Sequence, residues 1–150
     1  APGRGARAAA LVDDARAALA AAGLAPTHVL CSSALRTRQT WELARTALAA
    51  AGAPDAVVTV TDDLYDATTG DLAAAVQAVP ADATTVLVVG HEPTMSHAAA
   101  TFAGDGSDAE VVARVQRGVP TASWSVLELD GGWDATAPGA LRLVHLATRD

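Results

Sequence analysis

The sequence contains no lysine, so all ten of its basic residues are arginines, and they stand against 17 acidic residues. The resulting formal net charge of −7 disfavours a nucleic-acid or anionic-membrane partner, because both are themselves negatively charged. Cysteine occurs once, at Cys31, which excludes an internal disulfide and gives no sign of an oxidising compartment. The sequence also lacks a signal-peptide pattern and an apolar run of the roughly 18 residues that span a bilayer, so we expect a cytoplasmic protein.

Aromatic residues are scarce, at 3% of a sequence that is 51% hydrophobic. The core must therefore be built mainly from alanine, valine and leucine. A length of 150 residues suits one domain with one sizeable core, and no linker or internal repeat divides it. We therefore expect a single domain over residues 1–150.

The apolar spacing predicts an alternation of helices and strands. Helical spacing is found over residues 8–22, 34–51, 71–79 and 94–103. Short apolar or β-branched runs predict strands over residues 27–31, 57–60, 85–89, 123–129 and 141–147. Strands separated by helices form βαβ units, so we expect an α/β fold: a three-layer α/β/α sandwich with a mostly parallel central sheet.

Two loops at the predicted strand ends could carry chemistry, because ligands of such sheets bind after the carboxyl ends of the strands. Residues 32–40 (SSALRTRQT) lead into the first turn of a helix, where free N–H groups and the helix dipole favour an anion. Arg36 there could form two hydrogen bonds to a phosphate, or could be an ordinary surface arginine. In residues 88–94 (VVGHEPT), Gly90 allows a sharp turn, and His91 could donate a hydrogen bond to a phosphoryl group or simply pack against the sheet.

Together these loops resemble a known pair of motifs. Residues 32–40 are similar to the S-x-x-x-R-T-x-Q-T signature of the histidine phosphatase (phosphoglycerate mutase-like) superfamily, and residues 89–93 (VGHEP) are similar to its second-histidine motif. The short length and the Gly-His-Glu-Pro wording are most similar to the SixA-type phosphohistidine phosphatases. Residues 118–122 (GVPTA) also resemble a late segment of this group, so the resemblance extends over nearly the whole chain.

The resemblance implies a phosphoglycerate mutase-like fold and a phosphatase acting on phosphohistidine or small phosphoesters. Such enzymes work through a covalent phosphohistidine intermediate and need no metal or cofactor. Arg36 would be an arginine of the phosphate pocket and His91 the second histidine, so both are candidate catalytic and phosphate-binding residues. Cationic donors there would offset the repulsion between a phosphate dianion and an attacking electron pair. The implied partner is a phosphorylated protein or a small phosphorylated substrate.

The nucleophilic histidine of the superfamily lies in an R-H-G or R-H-A motif that ends the first strand, and no histidine in this sequence follows an arginine. The sequence does not begin with Met, and residues 1–5 (APGRG) resemble the stretch downstream of that motif. We therefore expect the first strand and the nucleophile to lie upstream of Ala1. The alternative is a non-catalytic relative that binds phosphate or a phosphoprotein. Replacement of the nucleophile by His145 would need a rearranged topology.

Two further residues have a catalytic interpretation. Asp66 is the nearest match to the acid that many relatives use as a proton donor, but an ordinary loop aspartate is the better interpretation. Cys31 precedes a loop with an arginine, as in cysteine phosphatases. That chemistry requires Cys-x5-Arg, however, and only four residues separate Cys31 from Arg36. We therefore predict that Cys31 is a small buried hydrophobic residue.

Overall fold

The computed structural model describes residues 7–12, 18, 19, 21, 24–53, 55–65, 67–91, 94–116 and 124–147. Six strands are present among them: β1 (Arg7–Val12), β2 (His28–Ser32), β3 (Val57–Thr61), β4 (Thr85–Val89), β5 (Trp124–Leu129) and β6 (Arg142–Ala147). The helices are α1 (Leu35–Ala50), α2 (Thr69–Gln77), α3 (Thr94–Phe102) and α4 (Ala109–Gln116), and 3-10 turns lie at Asp62–Leu64 and Trp133–Ala135. No helix in this described part of the chain is long and apolar enough to cross a membrane.

All six strands belong to one sheet in the order β3-β2-β4-β1-β5-β6. The strands β3, β2, β4 and β1 pair in parallel, whereas β5 pairs antiparallel with both β1 and β6. The predicted α/β fold with a mostly parallel central sheet is therefore confirmed.

Two hydrophobic cores lie on opposite faces of the sheet and make the fold three-layered. On one face, α2, α3 and α4 contribute residues such as Leu72 and Phe102. On the other face, Trp41 of α1 packs with alternate residues of the strands. Within β4, Val86 and Val88 belong to the first core, and the alternate residues belong to the second. Burial on both faces explains why residues 85–89 form an uninterrupted β-branched and aliphatic run.

The predicted helix over residues 8–22 is wrong for residues 8–12, which form most of β1. This strand lies between β4 and β5 and pairs with both, and its residues 8–12 are at most 3% exposed. Helix propensity favours alanine by less than about 1 kcal/mol per residue. Pairing on both sides and burial in both cores outweigh that preference. Ala18 and Ala21 are buried in the second core, and residues 13–17, 20, 22 and 23 lie outside the described residues.

The other predicted elements end within two residues of their predicted bounds, and β4 matches residues 85–89. Helix α4 was not predicted. Its beginning is marked by Asp108, whose Oδ1 accepts hydrogen bonds from the backbone N–H groups of Glu110 and Val111 at 2.9 and 3.2 Å. This is N-capping by an aspartate, a local signal present in the sequence. That a further strand precedes Ala1 stays a prediction.

Candidate active site

The carboxyl ends of β2, β3 and β4 meet at one edge of the sheet because these strands are parallel. In the register, Cys31 of β2 is the partner of Val89 of β4, and Ser32 is the partner of Thr61 of β3. The loops that follow β2 and β4 therefore begin side by side. The structure thus brings the two loops singled out by the sequence to the same edge.

The loop after β2 is fixed by hydrogen bonds that involve its own backbone. The Ser33 N–H donates to the Thr61 carbonyl at 3.1 Å. The buried hydroxyl of Thr37 is 2.8 Å from the carbonyl oxygens of both Ser32 and Ala34, which share its one hydrogen. A threonine in the first helical turn can make such a bond to a preceding carbonyl. From the sequence alone, Thr37 stands out only as part of the motif of residues 32–40.

The amino end of α1 is open to an anion. Ala34 at the N-cap offers no side-chain hydrogen bond to the first turn, and that turn contains no acidic residue. The free N–H groups and the positive end of the helix dipole are therefore not neutralised locally. Arg36 lies in this turn, is exposed, and forms no ion pair with any residue that the structure describes.

The loop after β4 is held from both sides. The Gly90 N–H donates to the Val12 carbonyl at 3.0 Å, and the His91 carbonyl accepts from the Met95 N–H at 3.2 Å in the first turn of α3. A Cβ at position 90 would lie 2.6 Å from the Cε of Met95, so the glycine allows this side chain to pack against the backbone. His91 itself is half-buried. Thr94, to which no role was assigned either, donates its hydroxyl to the Ala67 carbonyl at 2.9 Å.

The other histidines lie elsewhere in the fold. His28 begins β2 at the opposite edge of the sheet, and His97 is exposed on α3. His145 is exposed on β6, with its ring centroid 5.1 Å from that of Trp124. Of the four histidines, His91 is therefore the one placed in a loop that follows a strand. Asp66 lies outside the described residues, so its suggested role stays a prediction.

Three cavities formed by the described residues do not include Arg36 or His91 in their lining. One of about 430 Å³ lies between α1 and β3, and one of about 220 Å³ lies between β3 and α2. A third, of about 600 Å³, follows the outer face of α1. An apolar cavity is the usual site for a drug-sized ligand, whereas a phosphate needs convergent donors at a strand edge or a helix terminus. The two loops provide donors of that kind.

Cys31 is fully buried at the end of β2, as predicted. Burial raises the pKa of its thiol to about 11, and a hydrogen bond involving Thr37 lowers it by less. The Sγ atom is 3.4 Å from the carbonyl oxygens of Ser32 and Thr37. Because a nucleophilic cysteine must be a thiolate at working pH, this environment opposes the cysteine phosphatase interpretation.

The raised pKa of Cys31 predicts a loss of stability at alkaline pH. The native state keeps the thiol protonated up to about pH 11, whereas an unfolded thiol loses its proton near 9.0. The contribution of Cys31 to the free energy of unfolding should be constant below pH 9 and then fall as the pH rises to 11. We expect the free energy of unfolding to decrease by about 1–2 kcal/mol. This is less than the free energy to which a shift of two full pKa units corresponds, because neighbouring polar groups and solvent screen the charge.

Urea denaturation at pH 8 and pH 10.5 measures this effect, with Cys31→Ala as the control. The sequence has no lysine and one tyrosine, so few other side chains titrate in this range. The decrease should be smaller in the variant than in the wild-type protein. Equal decreases in both would contradict the assignment to Cys31.

Two mycobacterial proteins are similar to this chain in sequence, although no protein-family model matches it. An uncharacterized protein of Mycobacterium tuberculosis (strain ATCC 25618 / H37Rv) is 39% identical over 117 residues, which are 77% of this chain and 69% of that protein. An uncharacterized protein of Mycobacterium leprae (strain TN) is 34% identical over 105 residues, covering 70% of this chain and 60% of that protein.

Several solved structures share the fold. A candidate phosphohistidine phosphatase SixA from Nakamurella multipartitia has a TM-score of 0.77 and 29% identity over 95% of both chains. A candidate SixA from Agrobacterium tumefaciens has a TM-score of 0.69 and 20% identity, covering 95% of this chain and 98% of the other. The protein histidine phosphatase SixA complexed with tungstate has a TM-score of 0.66 and 17% identity, covering 94% of this chain and 96% of the other. The chain is therefore similar to SixA phosphohistidine phosphatases of the histidine phosphatase superfamily and shares their phosphoglycerate mutase-like fold.

Proposed function

We propose that this protein is a phosphatase that hydrolyses phosphohistidine, or small phosphoesters, through a covalent phosphohistidine intermediate. The observation that carries the proposal is that Arg36, in the first turn of the helix after β2, and His91, in the loop after β4, follow adjacent parallel strands at one end of the sheet. Similarity to SixA structures along almost the whole chain supports the class of reaction. In this role the acidic chain binds an anion through a few local donors.

Arg36 would bind the phosphoryl group. Its guanidinium group can donate two parallel hydrogen bonds to two phosphoryl oxygens, and it lies in the same turn as the free N–H groups of α1. These donors hold the phosphorus in line with the attacking atom and offset the negative charge that repels it.

His91 would act on the same group from the neighbouring loop. A ring N–H donated to a phosphoryl oxygen stabilises the charge that develops while the bond to the leaving group breaks. Backbone hydrogen bonds at Gly90 and at the His91 carbonyl fix the position of the His91 backbone, so little backbone reorganisation is needed during the reaction.

The nucleophile would be a histidine upstream of Ala1. Its ring nitrogen forms a bond to phosphorus while the bond from phosphorus to the leaving nitrogen or oxygen breaks. Water then attacks phosphorus, the bond to the nucleophile breaks, and inorganic phosphate leaves. The leaving group of phosphohistidine is an imidazole, which needs less help from an acid than an alkoxide does.

The expected substrate is a phosphorylated protein or a small phosphorylated molecule. The protein histidine phosphatase SixA was solved in complex with tungstate, which has the tetrahedral shape of phosphate, and this supports an oxyanion ligand for the present protein. Tungstate should therefore compete with substrate for this protein.

The proposal is tested on the complete protein as its gene encodes it. With a phosphohistidine peptide or an aryl phosphate as substrate, rapid quenching should trap a covalent phosphoenzyme. Its phosphate should be labile in acid and stable in base, as expected for phosphohistidine and not for a phosphoserine or phosphothreonine ester.

Binding of phosphate or tungstate without any turnover of either substrate would replace this proposal by the alternative, a non-catalytic phosphoprotein-binding relative. Turnover with an acid-stable phosphoenzyme would instead show that a residue other than histidine attacks the phosphorus.

A further inference from the structure

Strand β3 is an edge strand, the outermost strand on one side of the sheet, and it exposes apolar side chains on both of its faces. Among the strands that the structure describes, it pairs with β2 alone, and Val57, Val58 and Val60 are 60%, 36% and 49% exposed. Natural edge strands are usually protected against pairing by a lysine, a proline or a bulge. Residues 57–61 (VVTVT) contain none of the three.

The open hydrogen-bonding groups of this edge can be identified from the pairing with β2. The Val57 N–H donates to the Thr27 carbonyl at 3.0 Å, and the Thr61 carbonyl accepts from the Ser33 N–H at 3.1 Å. Backbone groups of successive residues in a strand point to opposite sides. The N–H and C=O groups of Val58 and Val60 therefore point away from β2, towards the open edge.

A groove lies on each side of this strand. Val58 and Val60 line the cavity of about 430 Å³ against α1, together with Trp41. Thr59 lines the cavity of about 220 Å³ against α2, together with Val79. A strand added to the edge would direct alternate side chains towards the two grooves, so both hydrogen bonds and side-chain contacts are available to it.

Exposed carboxylates stand at both ends of β3. Asp55 precedes it, and Asp62 and Asp63 follow it, and none of them forms an ion pair with a residue that the structure describes. Antiparallel pairing of two copies over all of residues 57–61 would bring Asp55 of one copy opposite Asp63 of the other at each end. Like charges directly opposite each other destabilise a strand pair, so the charges favour a basic partner over a second copy.

We propose that β3 docks an extended segment of a partner protein, added as a further strand, in which a short β-branched stretch is flanked by basic residues at both ends. The proposal is independent of the phosphatase activity, because neither Arg36 nor His91 contributes to it.

The probe is the capped peptide Arg-Val-Thr-Val-Thr-Val-Arg, with hydrogen exchange of the β3 amides followed by NMR. Exchange at Val58 and Val60 should slow by about tenfold or more on saturation, because their N–H groups gain acceptors. Exchange at Val57 and Thr59, whose amides point towards β2, should change little. The same peptide with glutamate at both ends should bind about tenfold more weakly, and this difference should shrink as salt is added.

Matched variants separate the charge effect from folding. Asp55→Asn combined with Asp63→Asn should remove most of the preference for the arginine peptide, whereas Asp134→Asn, an exposed site near β5 and β6, should leave it intact. Unchanged exchange at Val58 and Val60, or equal binding of both peptides, would overturn the proposal. Slower exchange with rising protein concentration, without peptide, would show that a second copy occupies the edge and would overturn it as well.

Discussion

Replacing His91 or Arg36 with alanine should lower kcat/KM for an aryl phosphate or a phosphohistidine peptide by about a hundredfold to a thousandfold. The reason is that each side chain is proposed to contact the phosphoryl group, whose charge is redistributed in the transition state. Arg36 is exposed and His91 half-buried, so the free energy of unfolding should change by less than about 1 kcal/mol in either variant. Steady-state kinetics on the complete protein, with denaturation curves alongside, measure both quantities.

The two variants should differ in how the loss of kcat/KM is divided between kcat and KM. Arg36 is proposed to hold the phosphoryl group both in the bound substrate and in the transition state, so its loss should raise KM as well as lower kcat. His91 is proposed to donate a hydrogen bond that strengthens as the bond to the leaving group breaks, so its loss should lower mainly kcat.

The chain offers a matched control for each site. Arg38 lies two residues further along α1 and faces its outer surface, where it borders the cavity of about 600 Å³. His97 is exposed on α3, the helix that follows His91. Arg38→Ala and His97→Ala should each change kcat/KM by less than about threefold, since neither side chain is assigned to the phosphoryl group. Equal losses in Arg36→Ala and Arg38→Ala would contradict the assignment of Arg36.

The two loops could be predicted from the sequence because each is a local feature. β4 is buried on both faces, which gives an unbroken aliphatic run, and Gly90 directly after it marks the turn. In the same way, a short apolar strand ends at Ser32, and a helical pattern begins at Leu35. The adjacency of the loops followed from topology, because parallel strands end at the same edge. What the sequence did not indicate were the hydroxyl contacts of Thr37 and Thr94, which depend on neighbouring backbone.

The error at residues 8–12 has a different origin. Alanine-rich spacing favours a helix locally, but the conformation of this segment depends on β4 and β5, which lie more than seventy residues away in the sequence. No window of local sequence contains that information.

The short helix α4 was missed for the opposite reason. Its local signal, the N-cap at Asp108, was present in the sequence, but no helix was predicted there.

The largest expected loss of stability comes from Gly104→Ala. Gly104 follows α3 and Ala103, and its N–H donates to the Leu141 carbonyl at 2.7 Å. A Cβ at this position would overlap the backbone carbonyl of Gly139, which cannot rotate away as a side chain could. The backbone must therefore move where α3 is hydrogen-bonded to the residue before β6. We expect the free energy of unfolding to fall by about 3 kcal/mol or more.

The control for this prediction is Gly52→Ala, measured by urea denaturation under the same conditions. Gly52 has a φ of +79° after α1, and a Cβ there would meet nothing within 4 Å. Its substitution should therefore cost only the conformational penalty of the left-handed region, about 1–2 kcal/mol. A Gly104→Ala variant as stable as Gly52→Ala would show that the backbone around Gly139 can move apart at low cost. In that case the contact would not anchor α3, the helix whose first turn holds the carbonyl of His91.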